Sequence, residues 1–282
     1  MNLENTVKKA SRILKNHNIH SYELDAQIIL SDIMGMKREF LITNNEINIS
    51  EKVMKKYDIA IKRRIKREPV AYIIGKKEFW SQDFRVNNST LIPRPESELL
   101  IYKLVSYFKN RRINILDIGT GSGCILLSLL KELPLARGIG IDISSKAVKT
   151  AKSNSKKLNL FYRSKFKVVD IDNFNIGRYD LIVSNPPYIA LKDIKNLSKD
   201  ILNYEPLIAL KGGYDGLDLI KEVIYKSKYL LKNNGLLGIE IGTNQYLKVL
   251  NILKSNGFRA VNKEYDCNYN VRCIISTKTC FF

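Results

Sequence analysis

The sequence predicts an α/β protein: a mostly parallel sheet covered by helices on both faces, behind a small N-terminal helical bundle. Three observations carry this. Apolar residues recur at helical spacing through residues 1–70, short apolar runs alternate with helical segments from residue 113 onward, and no internal repeat interrupts either pattern. With 45% of its 282 residues hydrophobic, the chain can bury a substantial core, as one large domain or a medium one with a small companion.

Each element follows from its residues. Val7, Ala10, Ile13 and Leu14 form one helical stripe, and Tyr22, Ala26, Ile29 and Ile33 form a second. Gly35 and the pair Asn44-Asn45 punctuate them, and a third helix runs from about Ser50 to Arg67, stopped by Pro69. Within 77–92, Phe79, Trp80, Phe84 and Val86 surround Ser81-Gln82-Asp83 and predict a hairpin linker, with Trp80 as its packing anchor. Ile113–Ile118 is the first strand of the alternating region, followed by a glycine loop and a helix over Cys124–Leu130. Gly138–Ile143 is the second strand, and a Lys- and Asn-rich helix then runs to about Leu158. Phe166–Ile171 and Leu181–Val183 are the third and fourth strands. A helix (Leu217–Leu231), a strand (Leu236–Ile241), a helix (Tyr246–Leu253) and two strands flanking Asp266–Asn270 complete the chain. Short buried strands joined through helices are the signature of a parallel sheet.

Composition narrows the function classes. The apolar content excludes a disordered or collagen-like chain. No apolar run approaches the ~18 residues that cross a bilayer, and Met1 to Asn5 reach no apolar signal core. A cytoplasmic protein with no membrane partner is expected. Cys124, Cys267, Cys273 and Cys280 form no C-x-x-C pair, and His17 and His20 lie far from them. Reduced structural thiols are therefore expected, with no metal site and no disulfide framework.

The net charge of +19 first suggests a nucleic acid. Its distribution weakens that idea, because residues 1–70 hold 14 Lys and Arg against 9 Asp and Glu, a surplus of 5. A quarter of the chain thus carries about a quarter of the charge. Only Lys62-Arg63-Arg64-Ile65-Lys66-Arg67 is dense, and such a run reads as a solvated helix face. The charge is compatible with an RNA- or ribosome-associated partner, but direct nucleic-acid binding is not required.

Two motifs carry chemistry. Asp117-Ile118-Gly119-Thr120-Gly121-Ser122-Gly123 follows the first strand and opens a helix, so its glycines permit a tight turn and close approach to a ligand. The dinucleotide fingerprint would need glycine at position 124, which is Cys, and no Walker A Gly-Lys-Ser/Thr follows. Asp142, ending the second strand, is placed to accept hydrogen bonds from both hydroxyls of a ribose. Taken alone, the loop leaves a structural turn and a ligand site equally open. The combination with Asn185-Pro186-Pro187-Tyr188 after the fourth strand resembles the class I S-adenosylmethionine-dependent methyltransferases. That resemblance implies a Rossmann-like, seven-stranded sheet whose last strand is antiparallel, and S-adenosylmethionine as the cofactor, held without phosphate chemistry.

Two prolines after a buried strand forbid further pairing and set a rigid corner, yet a mere terminator needs only one. In methyltransferases this motif marks attack by a planar nitrogen, whose delocalised lone pair makes it a poor nucleophile. The Asn185 side-chain oxygen and the Pro186 carbonyl can accept the two N–H hydrogens, aim the lone pair and stabilise growing positive charge. Tyr188 would wall the pocket. No histidine stands near either motif, and the chemistry needs neither a metal nor a covalent intermediate.

The remaining motifs select the nitrogen. Arg67 to Gly75, Glu78-Phe79, Phe84-Arg85-Val86, the block Leu91-Ile92-Pro93-Arg94-Pro95-Glu96-Ser97-Glu98, Tyr204-Glu205-Pro206 through Ala209-Leu210, Gly212 to Leu217 and Glu240-Ile241-Gly242 resemble the peptide chain release factor glutamine methyltransferases, over nearly the whole chain. The resemblance implies methylation of the side-chain amide nitrogen, N5, of the glutamine in the Gly-Gly-Gln loop of class 1 release factors. It implies cofactor contacts from Asp117, Gly119, Thr120, Gly121, Ser122, Gly123, Asp142 and Asn185, with Arg94 and Pro95 at the cofactor's outer edge. It places Asn185, Pro186, Pro187 and Tyr188 around the reacting glutamine. For adenine, Asp170-Ile171-Asp172-Asn173-Phe174 offers two registers, of which Asp172 and Asn173 fit the family pattern better; Asn173 replaces a larger apolar residue. Residues 1–75 become a release-factor-recognition bundle, 76–110 a hairpin and linker, and 111–282 the methyltransferase domain. Tyr269 stands where a turn glycine is usual. The alternatives are an exocyclic-amine methyltransferase of rRNA or DNA, told apart by whether protease or nuclease removes the label, and a binding module without activity.

Overall fold

The structure, a computed structural model, describes residues 2–44 and 46–279, so the expectations for Asn45 and Cys280 lie outside the described residues. The chain forms two compact units, Met1–Lys76 with Ser198–Tyr204, and Lys77–Leu197 with Glu205–Phe282. No helix of the described residues is long and apolar enough to cross a membrane.

The first unit is helical: α1 (Leu3–Asn16), α2 (Tyr22–Met34), α3 (Arg38–Thr43), α4 (Glu51–Ile65) and α5 (Val70–Ile74). Asn2 caps α1 by accepting from the Asn5 N–H at 2.9 Å, and Ser50 caps α4. The expected stripes meet inside, where Leu3, Ala10 and Leu14 pack with Ala26, Ile29, Leu30, Tyr57 and Ile61. The dense basic run is a solvated face only in part, at Lys62 and Lys66. The Arg64 guanidinium is buried, donating to Asp25 at 2.7 Å and to Asp200 at 2.8 Å. Arg63 grips Glu68, and Arg67 donates to the carbonyls of His17 and Asn18. Arginine forks that satisfy several acceptors at once make Arg63, Arg64 and Arg67 a brace of this unit.

The second unit opens with a hairpin, β1 (Lys76–Phe79) and β2 (Gln82–Arg85), followed by α6 (Ser97–Phe108). Then come β3 (Asn114–Ile118), α7 (Cys124–Glu132), β4 (Arg137–Asp142), α8 (Ser145–Lys157), β5 (Ser164–Val168) and β6 (Tyr179–Ser184). The chain next contributes α9 (Lys199–Tyr204) to the first unit. It returns as α10 (Asp218–Leu230), β7 (Leu231–Glu240), α11 (Tyr246–Ser255), β8 (Phe258–Tyr265) and β9 (Val271–Lys278).

Seven strands form one sheet in the order β5-β4-β3-β6-β7-β9-β8, with β9 antiparallel to both neighbours and the other strands parallel to one another. This is the expected seven-stranded sheet with an antiparallel last strand. β8 and β9 are consecutive and joined through a tight turn, so β9 must reverse direction. In that turn Tyr269 adopts φ 59°, the conformation a glycine would take, while Asp266 Oδ1 accepts from the N–H groups of Asn268 and Asn270 at 2.9 Å each. Both faces of the sheet are covered. Ile115, Leu181 and Val183 meet Leu100, Leu104, Leu126 and Leu130 on one side, while Leu116, Ile182, Leu237 and Ile239 meet Ile220, Ile224, Val249 and Leu253 on the other. Trp80 packs at the edge of the first of these cores and donates its indole N–H to Glu132 at 2.9 Å.

Several elements differ from expectation, among them the strand read as Leu236–Ile241, which runs Leu231–Glu240. The third strand stops at Val168, not Ile171, because the Asp170 side chain accepts from the Asp172 N–H at 3.0 Å and starts a single helical turn over Ile171–Asn173. The helix α6 was not anticipated, although Leu100, Ile101, Leu104 and Phe108 keep helical spacing and are buried.

Candidate active site

The site lies at the carboxyl ends of β3, β4 and β6. These strands run parallel in register, Ile118 facing Ile141 on one side and Ser184 on the other. The chain goes from β3 to β4 in one direction and reaches β6 in the other, so the loops after β3 and β6 diverge and leave a crevice between them.

Gly119, Gly121 and Gly123 adopt φ values of 72°, 55° and 82° after β3. The N–H groups of Gly119 and Thr120 both donate to the Ile141 carbonyl at 2.9 Å, which folds the loop back across the end of β4. A Cβ on Gly119 would meet no atom within 4 Å, and one on Gly121 only the Gly119 carbonyl at 4.0 Å. Side chains there would fill a cradle that the glycines keep open. Asp142 holds the loop from the neighbouring strand, its Oδ2 accepting from the Gly121 N–H and its Oδ1 from the Ser144 N–H, each at 2.9 Å. Burial raises the Asp142 carboxyl above its ordinary range, and those two N–H groups oppose the rise.

Asp117 is 1% exposed beneath the loop, where its Oδ2 accepts from the Thr120 hydroxyl at 2.6 Å. Burial pushes its carboxyl up to about 7. Cys124, just beyond the loop, is a free thiol pushed up by burial to about 12, so it is protonated and inert near neutrality.

Across the crevice, the Ser184 hydroxyl donates to the Ile118 carbonyl at 2.8 Å and ties the end of β6 to β3. Asn185-Pro186-Pro187-Tyr188 follows. A second segment is laced beneath it: the Ile189 N–H donates to the Leu210 carbonyl at 3.0 Å, and the Gly212 N–H donates back to the Ile189 carbonyl at 2.9 Å. Gly216, at φ 78°, lies so close that a Cβ would fall 2.4 Å from the Tyr188 carbonyl oxygen. The Gln245 amide clamps the three segments, donating to the carbonyls of Tyr188 (3.0 Å) and Gly216 (3.1 Å) and accepting from the Gly242 N–H (2.8 Å). Thus Gly212 to Leu217 and Glu240 to Gly242, read as motifs in the sequence, are the bed on which Asn185 to Tyr188 rest.

Between the two loops is a cavity of about 570 Å³, the size of a small-molecule site. Of the residues expected at the cofactor and substrate, Gly119, Thr120, Gly121, Ser122, Asp142, Asn185, Pro186, Pro187 and Arg94 line it. Asp117, Gly123, Pro95, Tyr188, Asp172 and Asn173 do not. Tyr188 turns away, its hydroxyl donating to Glu240 at 3.2 Å and accepting from Arg272 at 3.0 Å. Val169, Asp170 and Ile171 occupy the wall where Asp172 and Asn173 were expected. Ser97 and the segment Pro206 to Ala209, read in the sequence as parts of motifs without a site role, also line the cavity, as do Ser144 and Glu222, which sequence reasoning did not single out. Arg94 is fixed there by an ion pair with the buried Glu205, whose other oxygen accepts from the Ile92 N–H at 3.1 Å.

The lining is chemically mixed. Ile118, Ile141, Ile143, Val169 and Val223 supply apolar walls, and Asp142, Asp170 and Glu222 supply carboxyls. The oxygens of Asp170, Asp172 and Glu222 lie within 4.8 Å of one another. Burial first, and then the charges of Asp172 and Asp170, raise the Glu222 carboxyl. Open glycine backbone, a carboxylate beside it and an apolar slot suit a ligand that carries a ribose, a flat ring and a positive charge.

Comparison with known proteins agrees with this geometry. Residues 5–75 match the family model of the PrmC N-terminal domain, and residues 109–239 that of a methyltransferase domain. The chain is similar to the release factor glutamine methyltransferase of Clostridium acetobutylicum, at 38% identity over 99% of both chains. It is 40% identical to that of Buchnera aphidicola subsp. Schizaphis graminum, over 99% of this chain and 100% of the relative. Against that of Caulobacter vibrioides the identity is 34%, over 94% and 92%.

Proposed function

Since the chain belongs to the release factor glutamine methyltransferase family, we propose that it methylates the side-chain amide nitrogen, N5, of the Gly-Gly-Gln glutamine in class 1 peptide chain release factors. It is an S-adenosylmethionine-dependent methyltransferase. The observation that carries the finer reading is that Asn185 and the open glycine loop line one cavity.

In this reading Asp142 accepts from the ribose hydroxyls, and Val169 and Ile171 flank the adenine in the register that includes Asp170. The glycine loop, Gly119 to Ser122, follows the methionine part. S-adenosylmethionine, when bound by Asp142 and the glycine loop, would supply an electrophilic methyl group on a sulfonium. Asn185 Oδ1 accepts one N–H of the glutamine amide and the Pro186 carbonyl accepts the other. Both hydrogens are then held in place, and the lone pair points at the methyl carbon. The same two oxygens face the positive charge that develops on nitrogen. Pro187 and Leu207 wall the cavity against water, which strengthens those contacts. Tyr188 supports this wall from behind. The helical bundle, residues 1–75, recognises the body of the release factor, and the flanking glycines of the loop make it slim enough to enter.

Tandem mass spectrometry of a release factor incubated with enzyme and cofactor tests this. One methyl group on the glutamine of the Gly-Gly-Gln peptide is expected. A methyl on another residue, or on a carboxylate, contradicts it.

A further inference from the structure

Behind Asn185 runs a connected chain of buried polar groups. Ser97, which begins α6, and Glu240, which ends β7, are 2% and 0% exposed. The Ser97 hydroxyl donates to Glu240 Oε2, and Asn185 Nδ2 donates to Ser97 Oγ at 3.1 Å. Glu240 Oε1 accepts from the Tyr188 hydroxyl at 3.2 Å, and the Arg272 guanidinium lies 4.0 Å from that oxygen.

We propose that Ser97 and Glu240 are positioning residues for methyl transfer, holding the Asn185 amide with its oxygen toward the substrate nitrogen. The proposal rests on the reading that a glutamine amide is the nucleophile. It follows from counting hydrogens. A carboxylate only accepts, and a hydroxyl has one hydrogen to give. With that hydrogen on Glu240, Ser97 Oγ can only accept from Asn185, and so it binds the NH2 side of the amide. The oxygen side is left for the cavity that Asn185 lines. A reversed amide would offer donors to a nucleophile that needs acceptors and would draw its lone pair away from the methyl carbon.

The chain also polarises. In a water-poor interior each hydrogen bond strengthens the next, so negative charge on Glu240 raises the electron density on Asn185 Oδ1, where positive charge develops. Burial raises the Glu240 carboxyl, while Ser97, Arg272 and Tyr188 each draw it back toward the ionised form. Arg272 and Tyr188 therefore keep Glu240 from being a lone buried charge.

The test is steady-state methyl transfer to a purified release factor by the wild type, Ser97→Ala, Ser97→Thr and Glu240→Gln, with the cofactor Kd of each measured by calorimetry. Ser97→Ala should lower kcat about 10- to 100-fold, with the release-factor KM and the cofactor Kd within about twofold of wild type. Ser97→Thr, which keeps the hydroxyl, should recover most of that loss, and Glu240→Gln should lower kcat about 10-fold or more. The side-chain amide protons of Asn185, identified by their loss in Asn185→Ala, should exchange with water faster in Ser97→Ala than in the wild type. A Ser97→Ala kcat within about twofold of wild type, a loss carried by KM or Kd, a threonine variant no faster than alanine, or unchanged amide exchange would each overturn the proposal. A wild-type enzyme that leaves the release factor unmethylated would overturn the underlying reading, and this inference with it.

Discussion

Asn185 and Asp142 sit on opposite walls of one cavity and are assigned separable tasks. Asn185→Ala removes an acceptor that matters as charge develops on nitrogen, so turnover should fall about 100-fold or more while cofactor affinity stays nearly unchanged. With Asp142 proposed to accept from the ribose hydroxyls, Asp142→Ala should weaken cofactor binding first. Calorimetric Kd and kcat on both variants check this, and an Asn185→Ala enzyme with near-wild-type turnover refutes the mechanism. Asp117 has a different role. Burial raises its carboxyl from 3.8 to about 7, so between those values the folded chain keeps a proton that the unfolded chain has released. The contribution of this group to stability is fully present below pH about 4, falls as pH rises and levels off above about 7. Asp117→Asn has nothing to titrate, and its amide oxygen can still accept from Thr120. Its unfolding free energy, from urea titrations across this range, should lack that decline, and an unchanged slope contradicts the assignment.

At the scale of elements, the site depends on three segments packed closer than side chains allow. Gly216 makes the closest approach to backbone in its segment, and Gly216→Ala combines a Cβ at 2.4 Å from the Tyr188 carbonyl oxygen with φ 78°. It should destabilise the protein by about 2 kcal/mol or more and slow turnover by shifting Asn185 to Tyr188. A urea-unfolding change under about 0.5 kcal/mol would show that the loop yields easily. Most elements were legible because hydrophobic period and glycine or proline boundaries agreed, as at Ile113–Ile118 and in the stripe Tyr22, Ala26, Ile29 and Ile33. The end of β5 was not legible, because a side chain to backbone bond from Asp170 overrode apolar continuity through Val169 and Ile171. That turn is also why Val169 to Ile171, and not Asp172 and Asn173, face the cavity. The basic run from Lys62 to Arg67 misled for a related reason. Charge on a helix reads as exposure, yet Arg64 is buried because Asp25 and Asp200, distant in sequence, both reach it.

For the whole molecule, the motifs foretold which loops converge, since the glycine loop and Asn185 to Pro187 follow neighbouring strands of a parallel sheet. What they could not foretell was the support behind those loops. Ser97 and Glu240 are 143 positions apart, and nothing local in either segment announces their bond. Tyr188 belongs to that support and not to the cavity lining, a distinction that depends on Arg272 and Glu240. The charge of +19 stays unassigned to any single face, and the relatives direct attention to a protein substrate in place of a nucleic acid. The most direct measurement of that claim is methyl transfer from labelled S-adenosylmethionine to a purified release factor, beside a copy with the Gly-Gly-Gln glutamine changed to alanine and beside ribosomal RNA. Label on the first alone is the predicted result. Label on the RNA, with neither release factor labelled, would contradict the account and make this an exocyclic-amine methyltransferase.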